Sequence, residues 1–224
     1  MTPSPIALLG GTFDPVHYGH LRLADDVRRA LGLSEVRLLP ARDPPHRAEP
    51  AASAADRLAM LRLAVAEFPG LVVDERELHR PGKSYTVLTL TDLRREFPDA
   101  PLLLLLGADA FRGLPSWHRW QELFELAHLV VVARPGLSLE ASLPAPLLPI
   151  WRERLTDDRR ALLAKPAGSI LVEAVSPQAI SATTIRQALA QGGSADERLR
   201  GLLPPAVLAY IDLHHLYLSG SDAT

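Results

Sequence analysis

Gly10-Gly11-Thr12-Phe13-Asp14-Pro15-Val16-His17-Tyr18-Gly19-His20 is the stretch of this chain whose residue types and spacing could do chemistry. It follows the apolar run from Ile6 to Leu9, which reads as a buried strand. It leads into an amphipathic pattern from Leu21 to Leu31, which reads as a helix. Two glycines at a strand end let the backbone approach a ligand more closely than any Cβ permits. Histidines three positions apart at a helix start put two imidazoles beside its free N–H groups. A strand, a glycine turn and a helix N-terminus together make a phosphate site, and the imidazoles suit it to phosphate chemistry. Taken alone, an H-x-x-H pair could be structural or could ligate zinc; the glycines and the strand–helix context favour phosphate.

The elements that must position these groups alternate along the chain. Ile6 to Leu9, Val36 to Leu39, Leu71 to Val73, Leu102 to Leu106, Leu129 to Val132 and Ile170 to Val172 read as strands. Leu21 to Leu31, Ala54 to Phe68, Thr86 to Phe97 and Trp117 to Leu126 read as helices. This alternation predicts an α/β fold, a Rossmann-like doubly wound parallel sheet with helices on both faces. Leu137 to Lys165 interrupts it and reads as a loop and helix added at the sheet's edge. A C-terminal helical segment follows, with helices over about Ala182 to Gln191 and from Pro204 or Pro205 to about Leu216. We expect residues 1–180 as the core, 181–218 packed on it within the same domain, and 219–224 as a flexible tail. Ligands of open parallel sheets sit at the carboxyl ends of the strands. The distinctive polar residues fall in the loops after the strands, at 10–20, 40–47, 74–85, 107–117, 134–136 and 176–186.

Composition narrows the function. The 224 residues are 47% hydrophobic and 22% charged, ordinary for a globular enzyme with a sizeable core. There is no cysteine, which excludes disulfides, thiolate metal sites and a cysteine nucleophile and fits a reducing cytoplasm. The N-terminus lacks the pattern of a signal peptide, and no apolar run is long enough to span a bilayer. A formal charge of −2 argues against a general nucleic-acid binder, so an anionic substrate must be drawn by local groups. Those are arginines, since Lys83 and Lys165 are the only lysines; base composition of the coding sequence explains the bias more readily than selection for phosphate binding.

The glycine turn matches neither the dinucleotide nor the P-loop fingerprint. It resembles the nucleotidylyltransferase signature G-x-F-D-x-x-H-x-G-H. Ile180-Ser181-Ala182-Thr183-Thr184-Ile185-Arg186 resembles the same superfamily's I-S-[ST]-x-x-[IV]-R motif, with Ser181 as N-cap. Pro44-Pro45-His46-Arg47, Ser84-Tyr85-Thr86, Gly107-Ala108-Asp109, Trp117 and Arg134-Pro135-Gly136 resemble bacterial nicotinate-nucleotide adenylyltransferase, in the same order and spacing from about Ile6 to Tyr217.

The resemblance implies transfer of the AMP moiety of ATP to nicotinate mononucleotide, giving deamido-NAD and pyrophosphate. It implies His17, His20 and Arg186 as catalytic groups, with Gly10, Gly11, Thr12, Phe13, Gly107, Asp109, Ser181 and Thr183 around ATP. Pro45, His46, Arg47, Ser84, Tyr85, Thr86, Trp117 and Arg134 would then hold the mononucleotide. A tryptophan face is the best side-chain partner for its cationic ring, and N–H donors of the Ser84-Tyr85-Thr86 turn suit its carboxylate. Trp120 and Trp151 are expected to pack, and Asp109 could instead cap a helix. No protein ligand for a metal is evident, so Mg²⁺ is expected on phosphates and water. The implied partners are ATP and the mononucleotide, with no nucleic acid or membrane, and a homodimer is among the expected assemblies. Within the superfamily the rivals are nicotinamide-mononucleotide and pantetheine-phosphate adenylyltransferases; the latter carry threonine where His17 stands. A non-catalytic nucleotide sensor is the alternative of a different class.

Overall fold

The computed structural model describes residues 3–44, 49–133, 138–175 and 180–218. Its strands are β1 (Ile6–Gly11), β2 (Val36–Pro40), β3 (Leu71–Val73), β4 (Leu102–Gly107), β5 (His128–Ala133), β6 (Leu155–Thr156) and β7 (Ile170–Ala174). They form one sheet in the order β3-β2-β1-β4-β5-β7-β6, with every pairing parallel. Each apolar run read as a strand is one, and none but Leu71–Val73 fails to extend by a residue or two. The strand that the pattern does not announce is β6. Its two residues pair Leu155 with Ile170 and Thr156 with Leu171, adding an edge strand to a segment read only as loop and helix. Two residues carry no periodicity to recognise.

The helices are α1 (Tyr18–Ala30), α2 (Ala54–Val65), α3 (Arg76–His79), α4 (Thr86–Glu96), α5 (Ala108–Arg112), α6 (Leu123–Leu126), α7 (Leu148–Arg154), α8 (Arg159–Leu163), α9 (Ala182–Gly192) and α10 (Pro205–Leu213). Alternate residues of β1 feed opposite layers, as the pleat requires. Ala7 and Leu9 join a core with α1, α2, α8, α9 and α10, whereas Ile6 and Leu8 join one with α4, α5, α6 and α7. The sheet is therefore covered on both faces, which is why its strands are apolar runs and not alternating patterns. The C-terminal α9 and α10 bury Ile185, Leu189, Val207 and Ile211 in the same core as α1.

Helix α1 begins at Tyr18 and not Leu21, α2 ends at Val65 and not Phe68, and α3 and α5 fall in segments read as loops; two other helices depart from the sequence reading in their backbone path. Trp117 to Leu126 is not continuous: Trp117 is extended and Arg119 is left-handed at φ 52°. Residues 120–122 make a 3-10 turn before α6. Pro115 ahead of this segment and the left-handed residue within it break the helical path that the apolar spacing suggested. The last helix stops at Leu213, and His215 and Tyr217 then turn left-handed at φ 50° and 65°. His214 stacks on Tyr210 with ring centroids 4.1 Å apart.

The order of strands reverses direction between β1 and β4, each leaving the switch point on its own side. A crevice opens there at the carboxyl ends, and both strands end in glycine.

Candidate active site

A Cβ added at Gly10 or at Gly107 would meet nothing within 4 Å. Both glycines line a cleft of about 460 Å³, together with Gly11, Thr12, Ser84, Tyr85, Thr86, Asp109, Trp117 and His118. Their small size therefore leaves room for whatever fills the cleft. Gly11 has a different reason: its Cβ would sit 3.0–3.3 Å from the Phe13 ring. Phe13 is buried beneath the turn with a left-handed backbone at φ 49°, a conformation that costs a non-glycine residue of order 1–3 kcal/mol. Its ring meets His20 edge-on, centroids 5.0 Å apart.

His17 occupies the N-cap of α1 and His20 its first turn. Their rings stack with centroids 3.7 Å apart and planes 22° from parallel. Gly19 allows this, because a Cβ there would stand 2.9 Å from the His17 ring. The Nδ1 of His17 is buried and has no hydrogen-bond partner among the described residues. Burial lowers the His17 pKa from 6.5 to about 4. The His17 imidazole is therefore neutral near pH 7 and adds no positive charge of its own.

That shift has a consequence for stability. Between about pH 6.5 and pH 4 the unfolded chain binds a proton at His17 and the folded one does not. Folded-state stability is thus fully present above that window and is lost as pH falls through it. His128, buried and held between Lys165 carbonyl oxygen and Ser169 N–H, is also lowered by burial and acts in the same direction. The melting temperature of the unliganded protein should fall from pH 7 to pH 4.5, and His17→Asn should flatten part of that slope. An unchanged slope in the variant would place the acid sensitivity elsewhere.

The third group comes from the far end of the chain. Ser181 is the N-cap residue of α9, although its hydroxyl makes no capping bond; Thr183 is exposed in the first turn. Arg186 donates from Nη1 to the Asp14 carbonyl oxygen at 2.6 Å. The Cβ of Ile180 is 3.4 Å from the position a Gly19 Cβ would take. The N-termini of α1 and α9 thus converge on the glycine turn, and His17, His20 and Arg186 with them. One guanidinium N–H is committed to Asp14, and a third of the side chain remains exposed.

On the other side of the turn, Trp117 lines the cleft with Tyr85 and His118, whose rings lie 4.4 Å apart. The Ser84-Tyr85-Thr86 turn offers fewer donors than its sequence suggests. Ser84 N–H donates to the Asp43 carbonyl and Tyr85 N–H to that of Lys83. The Ser84 hydroxyl accepts from Arg42 N–H and bonds Glu77. Thr86 N–H, first in α4, has no partner among the described residues. Asp109 does not cap α5, since Gly107 holds that position; it is almost fully exposed, pairs with Arg112 and lines the cleft. Trp120 meets Phe124 edge-on and Trp151 packs on Phe111.

Sequence reasoning missed three groups behind this surface. Glu77 is buried at the cleft wall, where desolvation raises its pKa against bonds from Thr89 and Ser84. Asp14 is buried and accepts from the N–H groups of Ala51 and Ala52 and from the Tyr217 hydroxyl. Arg57, 1% exposed, donates to the carbonyls of Thr12, Ala41, Arg42 and Ala52. An aspartate inside the motif was a signal for the second; an arginine on a helix reads as surface, and nothing marks it otherwise.

Pro45, His46, Arg47 and Arg134, expected on the mononucleotide, lie outside the described residues, as does the segment 219–224. Among the described residues no group of three or more His, Asp or Glu could hold a metal ion. No helix among them is long and apolar enough to cross a membrane.

A parallel sheet with a glycine turn at its switch point, two helix N-termini and a convergent arginine defines a cytidylyltransferase-like protein, and that family's model matches residues 8–188. A relative from Halorhodospira halophila is 54% identical over 90% of this chain and 90% of its own length. One from Laribacter hongkongensis is 54% identical over 97% and 96%. Both bear the name "Probable nicotinate-nucleotide adenylyltransferase". The chain belongs to the nicotinate-nucleotide adenylyltransferase family. The fold is shared with Plasmodium falciparum nicotinic acid mononucleotide adenylyltransferase complexed with NaAD, at a TM-score of 0.72 and 15% identity, over 96% of this chain and 98% of that one.

Proposed function

We propose that this protein joins nicotinate mononucleotide to the AMP moiety of ATP, releasing pyrophosphate and forming deamido-NAD for NAD biosynthesis. One observation carries the reading: a phosphate corner and an aromatic cleft meet across a single glycine turn, Gly10-Gly11-Thr12. Two phosphorylated substrates bound on either side of that turn bring a phosphate oxygen of one to the α-phosphorus of the other.

The cationic ring of the mononucleotide lies against Trp117, with Tyr85 and His118 completing the aromatic wall. Its carboxylate takes the N–H of Thr86 at the start of α4. Arg47, His46 and Arg134 take its phosphate. ATP lies over Gly10, Gly11 and Gly107 with its triphosphate toward α1 and α9. His17 and His20 donate to the α/β-phosphate oxygens; Arg186 and Thr183 hold the β/γ-phosphates. The mononucleotide phosphate is already an anion, so it attacks in line without a base. The new P–O bond forms as the bond to the β-phosphate breaks, and its electron pair leaves with pyrophosphate. Positioning and charge stabilisation supply the rate enhancement.

The donor set fits Mg²⁺ carried by the nucleotide: the Asp14 carboxylate is occupied by three protein donors, and Asp109 is the exposed carboxylate at the cleft. When bound, the ion withdraws charge from the leaving pyrophosphate. A cytoplasmic location supplies both ATP and the mononucleotide and fits a chain without cysteine.

The test measures pyrophosphate release from ATP with nicotinate mononucleotide, with nicotinamide mononucleotide and with neither. Release should require a mononucleotide and be faster with nicotinate. A preference for the amide overturns the substrate assignment, and ATP binding without turnover makes the protein a sensor.

A further inference from the structure

We infer that Tyr217 is a positioning residue that keeps Arg186 available to the triphosphate by occupying one oxygen of the Asp14 carboxylate and so blocking a two-point pair. The inference rests on the proposed role of Arg186. Asp14 stands 203 residues before Tyr217, and the Tyr217 hydroxyl donates to Asp14 Oδ1 at 2.7 Å. Ala52 N–H donates to the same oxygen at 3.1 Å, and Ala51 N–H donates to Oδ2 at 2.8 Å. Arg186 reaches only the Asp14 carbonyl closely; its Nη1 stays 3.9 Å from Oδ2.

This geometry describes a competition. An arginine fork prefers a carboxylate in two-point contact, and Asp14 is the carboxylate in reach. A buried aspartate with both oxygens open would draw Arg186 into such a pair and away from the nucleotide. The phenol and the Ala52 N–H fill Oδ1 instead, so the two-point pair, which needs both oxygens, is closed to Arg186. The chain goes to some length to deliver the phenol: after α10, His215 and Tyr217 both adopt left-handed backbone angles, and the turn brings the ring back against the core. Burial first, then the neighbouring Asp14, holds the Tyr217 hydroxyl above its ordinary range, so it remains a donor at every physiological pH. The C-terminal end of the chain is thereby part of the phosphate corner without touching substrate.

Tyr217→Phe removes one oxygen and keeps the ring. Losing a hydrogen bond to a charged group in this way should raise the KM for ATP about tenfold, leave the KM for the mononucleotide unchanged and shift Tm by no more than about 4 °C. The same substitution in an Arg186→Ala background should add nothing to the KM for ATP, because the group being positioned is gone. A purely structural tyrosine would lower Tm and act equally in both backgrounds. Unchanged ATP kinetics in Tyr217→Phe, a full-sized effect in the Arg186→Ala background, or an unfolded variant each overturns the inference. Arg186→Ala by itself tests the reading beneath: if that variant binds and turns over ATP normally, the assignment of Arg186 fails independently of Tyr217.

Discussion

Replacing His20 with alanine is expected to lower kcat by about 10²–10³, the usual cost of removing one well-placed transition-state donor. His20 sits in the first turn of α1, where backbone N–H groups and the helix dipole already favour an anion. It stacks on His17 and rests edge-on against Phe13, so its ring is fixed by two neighbours before substrate arrives. A prefixed donor costs no reorganisation as charge builds on the breaking bond, which is why its loss falls on kcat. Alanine suits a helix, and the buried residues of α1 that hold it to the sheet are Leu21, Ala24 and Val27. The melting temperature should therefore stay within a few degrees of the native value. Steady-state kinetics beside a thermal melt decide the matter: near-native kcat in a folded variant would end the assignment of His20 to the reacting phosphates.

Arg57→Met is expected to cost about 3–5 kcal/mol of stability, the scale found when one partner of a buried charged arrangement is removed. For a chain of this length that corresponds to a Tm lower by roughly 10 °C. Arg57 ties together carbonyls from the glycine turn, from the loop after β2 and from the approach to α2, with bonds of 2.7 Å to Thr12 and Ala41. Methionine fills most of the volume yet donates nothing, leaving these acceptors desolvated and unpaired. Desolvation holds the Arg57 pKa below its usual value, opposed by the nearby Asp14 carboxylate, so Asp14 would also lose a favourable field. Because Thr12 belongs to the turn that lines the cleft, kcat should fall with stability. Chemical denaturation with the midpoint and slope both fitted measures the loss. A cost under 1 kcal/mol would show that solvent replaces the guanidinium.

The sequence determined the parts whose information lies in neighbouring residues. Apolar runs set six of the strands, glycines set the strand ends that open the cleft, and the spacing of His17, Gly19 and His20 set the stacked imidazoles at the start of α1. Each of these follows from local periodicity, capping or the absence of a Cβ, all legible along the chain. Local pattern also misled where backbone geometry overruled it, as at Arg119, whose left-handed turn breaks an otherwise helical stretch.

Only the tertiary structure decided which distant groups share an environment. Arg57 serves four carbonyls, Ser84 spends its donors on Asp43 and Glu77, Tyr85 meets His118, and Tyr217 returns to Asp14. Backbone carbonyls are the same at every residue, so a buried arginine's acceptors leave no trace in residue type. Whether a polar side chain is satisfied, desolvated or offered to a ligand depends on what the fold brings within 3 Å of it.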